Sequence, residues 1–249
     1  MSNYELEHGL TFIDDEGTEH HSFKEFGIYP KTKGMPDPPK VQKEFIDIPG
    51  MDGSLDASQA LDGLVHYEDR DYSQDFYIVD KEADWHTIYS NILNILHGRH
   101  MLLIFDDDPL WYYEGRIEVG DPKPDDAGYI TIAIKGTLKP YKYNITTSTD
   151  DDWLWDPFDF EEGVIRQYGN IFIDGTTSVS IVGSLMPVVP TITVESENGN
   201  GMTVTYAGQT YQLVDGDNRI PAMTIQKDDY DMVFNGYGTV SIYFREGSL

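Results

Sequence analysis

Residues 45–80 read FIDIPGMDGSLDASQALDGLVHYEDRDYSQDFYIVD, and residues 96–116 read LHGRHMLLIFDDDPLWYYEGR. The first stretch opens with a strand, Phe45 to Ile48, broken by the Pro49-Gly50 turn, with a second turn at Met51-Asp52-Gly53. Tyr72 to Val79 follows as a strand with Phe76 and Ile78 on one face and Tyr77 and Val79 on the other, a pattern that predicts burial on both sides. Between the two stretches lies one helix, 84–97. Asp84 is placed to cap its first N–H groups, and Trp85, Ile88, Tyr89, Ile92, Leu93 and Leu96 form its buried stripe. Gly98 stands where a left-handed cap is wanted, and His97, Arg99 and His100 put positive charge at the negative end of the helix dipole. Met101 to Phe105 is a short apolar strand, Asp106-Asp107-Asp108-Pro109 breaks it, and Trp111 to Arg116 opens the next. Strands surrounding a single amphipathic helix predict a mainly β fold with one packed helix.

The rest of the chain extends this pattern. Thr11 to Ile13, the turn Asp14-Asp15-Glu16-Gly17, and Phe23 to Tyr29 predict an N-terminal hairpin. Residues 30–43, PKTKGMPDPPKVQK, carry four prolines and oppose regular structure. They form a basic arm of Lys31, Lys33, Lys40 and Lys43 against the single acid Asp37. Residues 122–128 read as an exposed acidic loop, and Ile130, Ile132 and Ile134 alternate with Thr131, Ala133 and Lys135 as a half-buried strand running on to 139–143. A polar stretch, 144–152, ends in three aspartates and marks a boundary, which predicts domains at 1–145 and 146–249.

Beyond the boundary no helical period returns and no internal repeat appears. Strands are expected at 164–168, 171–173, 179–182, 191–195, 202–206, 210–214, 223–226 and 239–244. Turn signals separate most of them, at Asn198-Gly199-Asn200-Gly201, Ala207-Gly208, Asp215-Gly216 and Asn235-Gly236. Short strands at this spacing predict a β-sandwich.

Composition narrows the function classes. The chain has 249 residues and a formal net charge of −27, from 44 acids and 17 bases, which opposes sequence-specific nucleic-acid binding. With no cysteine, disulfides, thiol catalysis and thiolate metal sites are excluded. The opening MSNYELEHGL has no apolar core and no apolar run approaches a membrane span, so folding in a cytoplasm without membrane association is expected. The clusters Asp106-Asp107-Asp108, Asp150-Asp151-Asp152 and Asp228-Asp229 lack the spacing of a calcium loop and read as turns or surface. No nucleophile elbow and no H-E-x-x-H pattern is present, so neither an enzyme nor a cofactor is expected. Trp153, Trp155 and Phe158 suit a seam between domains or, as exposed aromatics, stacking on sugar rings.

Several pieces in this order resemble the N-terminal domain of the distal tail proteins of long, flexible-tailed phages. They are Pro49, Gly50, Asp52 and Gly53, with Met51 where the family has a basic residue; Tyr67 and Arg70; the Trp85 helix closing at Gly98; Tyr113, Gly115 and Arg116; and Pro140 with Tyr141. The resemblance covers most of residues 1–143. It implies an N-terminal β-sandwich or barrel-like ring domain and a C-terminal galectin-like β-sandwich. It also implies a homo-hexameric ring joining the tail tube to the baseplate of a virion, with DNA passing through an acidic channel. The partners implied are the tail tube protein, the tail-associated fibre or lysin protein, and the receptor-binding protein or its adaptor. In such a ring the four lysines of the arm are expected to reach acids of the adjacent subunit. The competing expectation is a carbohydrate-binding module acting through the C-terminal half.

Overall fold

A computed structural model describes residues 9–61, 63–78, 84–125, 128–145, 168–197, 201–226, 228 and 230–249. The chain divides into two compact units, the first through Lys142 and the second from Tyr143. Both are mainly β, and one helix is present among the described residues, as the sequence predicts.

The first unit contains β1 (Leu10–Ile13), β2 (Glu19–His21), β3 (Ile28–Pro30), β4 (Phe45–Asp47), β5 (Ser54–Asp56) and β6 (Arg70–Ile78). Then come α1 (Trp85–Leu96), β7 (His100–Phe105), β8 (Trp111–Val119), β9 (Lys123–Pro124) and β10 (Ile130–Leu138). Its sheet is antiparallel in the order β2-β1-β7-β8-β10-β6-β3, with β9 against β10. The central pair is long: β10 lies along β6 from Arg70↔Leu138 to Tyr77↔Thr131. Alternation along these strands buries Tyr72, Phe76 and Ile78 of β6 and Ile132, Ile134 and Leu138 of β10 on one face. Helix α1 covers that face, with Ile92 and Leu96 fully buried and Trp85, Ile88, Tyr89 and Leu93 packed around them.

Several local expectations are corrected. The N-terminal hairpin closes on Glu19–His21, where Thr11 faces His21, and the segment after it turns before supplying β3 at the sheet edge. There Pro30 needs no outward ladder bond. β6 is buried on one face; on the other, Tyr77 is half-covered by the rings of Tyr29 and Tyr129, while Asp71, Ser73 and Asp75 face water. Val79 lies outside the described residues. Asp84 makes no side-chain cap to the backbone; its carboxylate accepts instead from the Thr87 hydroxyl at 2.7 Å. Gly98 does close the helix, at φ 74°. His97 accepts from the Val119 N–H at 3.0 Å, tying the helix end to β8.

The second unit contains β11 (Lys142–Asn144, which begins on the last residue of the first), β12 (Ile171–Ile181), β13 (Thr191–Ser196), β14 (Met202–Tyr206), β15 (Gln209–Leu213), β16 (Gly216–Arg219), β17 (Tyr230–Tyr243) and β18 (Gly247–Ser248). β17 is its trunk. β12 lies along one side of it over eleven residues, and on the other side β14 takes Val233–Asn235 and β13 takes Gly238–Tyr243. The sheet forks there because Gly238 lets β13 in: an added Cβ would stand 2.2 Å from the Glu195 carbonyl oxygen. Asn235-Gly236 is thus the middle of a long strand rather than a turn, 171–173 and 179–182 are one strand, and Gly216 begins a strand. The expected strand at 223–226 is a single bridge, Ile225 to Val188. Residues 164–167 of the strand expected at 164–168, and 198–200 of the turn expected at 198–201, lie outside the described residues; Tyr168 is buried but is in no strand.

Both cores hold tyrosines whose ionisation opposes folding. Burial pushes the Tyr72 phenol far up and the Tyr206 phenol up to about 12, because a phenolate there would lose its hydration. An unfolded tyrosine ionises near 10.0, so above that pH the unfolded chain releases protons that the native chain keeps. Stability is therefore complete below pH 10 and is lost as pH rises through the native values. Phenolate absorbance from these buried rings is expected to rise together with loss of near-ultraviolet dichroism. Their ionisation in a chain that keeps its tertiary dichroism would contradict the assignment.

Candidate functional site

The motif residues gather at two places on the first unit. At the first, β6 begins with Arg70, buried at 4% exposure. Its guanidinium donates to the Pro140 carbonyl and lies 5.2 Å from the centroid of the Tyr113 ring. Tyr67, just before β6, meets Tyr141 edge-on at 5.9 Å. Lys142 then donates to Asp108 at 2.6 Å and sits 5.0 Å over the Trp111 ring. Gly115 allows β8 this close to β10, since an added Cβ would lie 2.2 Å from the Thr137 carbonyl oxygen. Tyr67, Arg70, Tyr113, Gly115, Pro140 and Tyr141 thus contribute to one clamp on the chain leaving β10. Among the described residues no carboxylate pairs with Arg70. Burial lowers its pKa, and Tyr113 partly offsets that.

Arg116, next to Gly115, donates to the Gly98 carbonyl and holds the end of α1 against β8. Trp85, at the opposite end of that helix, stacks on His86 at 3.6 Å.

The second place is the β4–β5 hairpin, whose loop carries Pro49, Gly50, Asp52 and Gly53. Gly50 and Gly53 take left-handed φ of 86° and 78°, the Met51 N–H returns to the Ile48 carbonyl, and Ser54 donates to Asp47 at 2.6 Å. Every residue of both strands is exposed. Phe45, Ile46, Ile48, Met51 and Leu55 remain 42–57% exposed, and Leu61 reaches 94%. From the sequence, the strands around Phe45 and around Phe76 both read as edge strands available for a subunit contact, and only Phe45 is exposed. Phe76 is core at 1% exposure, and β6 has neighbours on both sides. Strand β5 was missed because its Ser-Leu-Asp carries a single apolar residue and so shows no alternation. Its signal was cross-strand: Ile46 faces Leu55.

The lysine arm divides. Lys31 lies 3.9 Å from Asp125 and Lys33 2.6 Å from Asp107, both within the unit, whereas Lys40 and Lys43 stay exposed beside the hairpin. The aspartate triplet at 106–108 is also spoken for. Asp106 accepts from Gly9 N–H at 2.9 Å and lies 3.2 Å from His21, Asp107 holds Lys33, and Asp108 holds Lys142. Among the described residues no three His, Asp or Glu side chains gather as metal ligands. His20 lies between Glu25 and Asp14, and His100 between Asp15 and Glu114, partners as far as 85 positions away that no local pattern announces. On the second unit Phe172 and Tyr237 form an exposed edge-to-face pair at 5.3 Å. Trp153, Trp155, Phe158 and the 150–152 aspartates lie outside the described residues.

The chain matches no protein-family model and no curated protein. Among solved structures it is similar to the SPP1 Dit (gp 19.1) protein, presented as a paradigm of the hub adsorption apparatus of phages infecting Gram-positive bacteria. The TM-score is 0.52 and the identity 12%, over 96% of this chain and 99% of that one. The likeness runs the whole length of both chains, and at this identity it is a likeness of fold.

Proposed function

We propose that this chain is a structural, non-enzymatic protein of a phage tail tip, the distal tail protein of a long, flexible-tailed phage. Six copies form a ring that joins the tail tube to the baseplate and lets DNA pass through an acidic channel. The observation that carries the reading is the exposed apolar hairpin β4–β5 on a chain whose two β units follow the fold of a hub protein from end to end. A hairpin exposed on both strands suits a surface completed by a neighbour, and identical heterologous contacts close into rings. The charge of −27 suits a conduit wall to which DNA does not adhere. The partners are the tail tube protein, the tail-associated fibre or lysin protein, and the receptor-binding protein or its adaptor. The second unit, as a galectin-like β-sandwich, holds the baseplate side. Assembly takes place in the host bacterial cytoplasm and the product resides in the virion.

Light scattering with negative-stain imaging of the same fractions tests this. A six-fold particle with a central hole is expected. A strict monomer at every concentration would overturn the ring. Lys40 and Lys43, exposed next to the hairpin, are the arm residues that reach the neighbouring copy. Replacing both with glutamate is expected to raise the concentration at which rings dissociate by about tenfold, a change of ~1.4 kcal/mol per contact. Unchanged dissociation would remove the arm from the interface.

A further inference from the structure

The clamp at the start of β6 contains a buried cation that no carboxylate among the described residues balances. Arg70 is 4% exposed, and its guanidinium presents a fixed fork of N–H donors that stays charged at neutral pH. Nη2 donates to the Pro140 carbonyl, and the group lies over the Tyr113 ring. The Nε–H is covered as well and meets no acceptor. A carbonyl and a ring face satisfy donors without cancelling a charge. A guanidinium taken out of water with no counter-charge is among the costliest groups a core can hold.

Another unmet donor stands beside it. Tyr72 is the next residue of β6 on the same face of the sheet. It is 2% exposed, and its hydroxyl has no partner either. Burial pushes that phenol far up, so it keeps its proton and remains a donor. The two side chains are joined through an aromatic pair. Tyr72 meets Phe105 edge-on at 6.0 Å, Phe105 meets Tyr113 edge-on at 5.8 Å, and Arg70 lies 5.2 Å from the Tyr113 centroid. Arg70, Tyr72, Phe105 and Tyr113 thus close a circuit of contacts that carries unmet donors at Arg70 and Tyr72. Buried polar atoms without a partner are rare in folded proteins, and their meeting in one circuit points to a shared acceptor.

The two donors define that acceptor. It takes a hydrogen bond from an N–H and from an O–H, and it brings the negative charge that Arg70 lacks. Water brings no charge, and it brings protons of its own into a site walled by aromatic rings. A phosphate or carboxylate has more oxygens than these donors can satisfy. A monoatomic anion accepts from any direction and neutralises the guanidinium. We propose that the Arg70 Nε–H and the Tyr72 O–H hold a chloride ion, or another monovalent halide, inside the first unit. The ion offsets the buried charge and so secures the hold on Pro140. The site lies within one copy and stands apart from the ring reading. Because the net charge of −27 repels free anions, it fills at the chloride levels of saline media rather than at trace levels.

Thermal unfolding of the full-length protein in mixtures of sodium chloride and sodium gluconate at one ionic strength tests this. Both salts screen the acidic surface alike, and only chloride suits the site. Raising chloride from about 5 mM to about 500 mM is expected to raise Tm by about 5 °C, with bromide equivalent to chloride. Tyr72→Phe keeps the ring and the cation but removes the O–H, and is expected to lose at least half of that rise. Arg70→Met is expected to lose all of it, so its deficit against the wild type widens as chloride increases. A wild-type Tm that follows ionic strength alone, the same in either salt, overturns the proposal without recourse to a variant. Crystals grown in bromide locate the ion: an anomalous peak within about 3.5 Å of both Arg70 Nε and the Tyr72 oxygen is expected. Bromide found only on the surface would mean an adventitious ion only, and would equally overturn the assignment.

Discussion

Replacing Gly115 with alanine is expected to unfold the first unit or lower its Tm by roughly 10 °C, corresponding to about 3 kcal/mol or more. The alanine methyl would stand 2.2 Å from the Thr137 carbonyl oxygen and 2.7 Å from the Leu138 Cα, both backbone atoms of β10 that cannot step aside as a side-chain tip would. The strain falls where Gly115 faces Leu138, at the end of the β8–β10 ladder and next to Arg70, which faces Leu138 from β6. Relief requires parting β8 from β10, so a single methyl disturbs both the ladder and the clamp on Pro140. Ser73→Ala, on the exposed face of β6, serves as the control and is expected to change stability by less than about 0.5 kcal/mol. A Gly115→Ala protein as stable as that control would show that the two strands are not held this close in solution.

Removing the Arg70 side chain is expected to be the second large effect. Arg70→Ala takes away the donor to the Pro140 carbonyl, the contact with Tyr113 and the packing of a buried stem, a loss of about 3 kcal/mol. Arg70→Met separates these contributions. Methionine refills most of the volume and removes a cation that burial has already disfavoured, so it is expected to cost about 1 kcal/mol, what an unmet carbonyl costs on its own. Urea midpoints of the three proteins measure both. Equal losses for alanine and methionine would mean that the charge and its hydrogen bond, rather than packing, hold the site.

How far the sequence could be read depended on where each residue's partner lies. Helix α1 was legible because its partners are three and four positions apart, and Gly98 because a cap is a local requirement. The Ile130–Ile134 strand was legible from alternation alone. Arg70 was singled out only by its resemblance to a family motif; nothing near it in sequence points to Pro140, seventy positions away. The branching of the second unit's sheet was hidden for a related reason. Asn-Gly is locally the best hairpin signal, yet in β17 the glycines at 236 and 238 make room for β14 and β13, which the local window does not contain. The hairpin's exposure was equally invisible, because an apolar strand left open to solvent has the same composition as one made for the core.

The clamp at the end of β10 also has a mechanical meaning. A pull transmitted through Lys142 does not peel β10 from the border of the sheet. It reaches β10, which is bonded to β6 along one flank and to β8 along the other, and the hooks at Pro140, Tyr141 and Lys142 spread it onto β6 and the β7–β8 turn before β10 slips. Two antiparallel ladders loaded along their length must shear many hydrogen bonds at once rather than release them one by one. The first unit is therefore anchored like a bolt through the middle of a plate, so that force arriving from the second unit is resisted by the whole sheet.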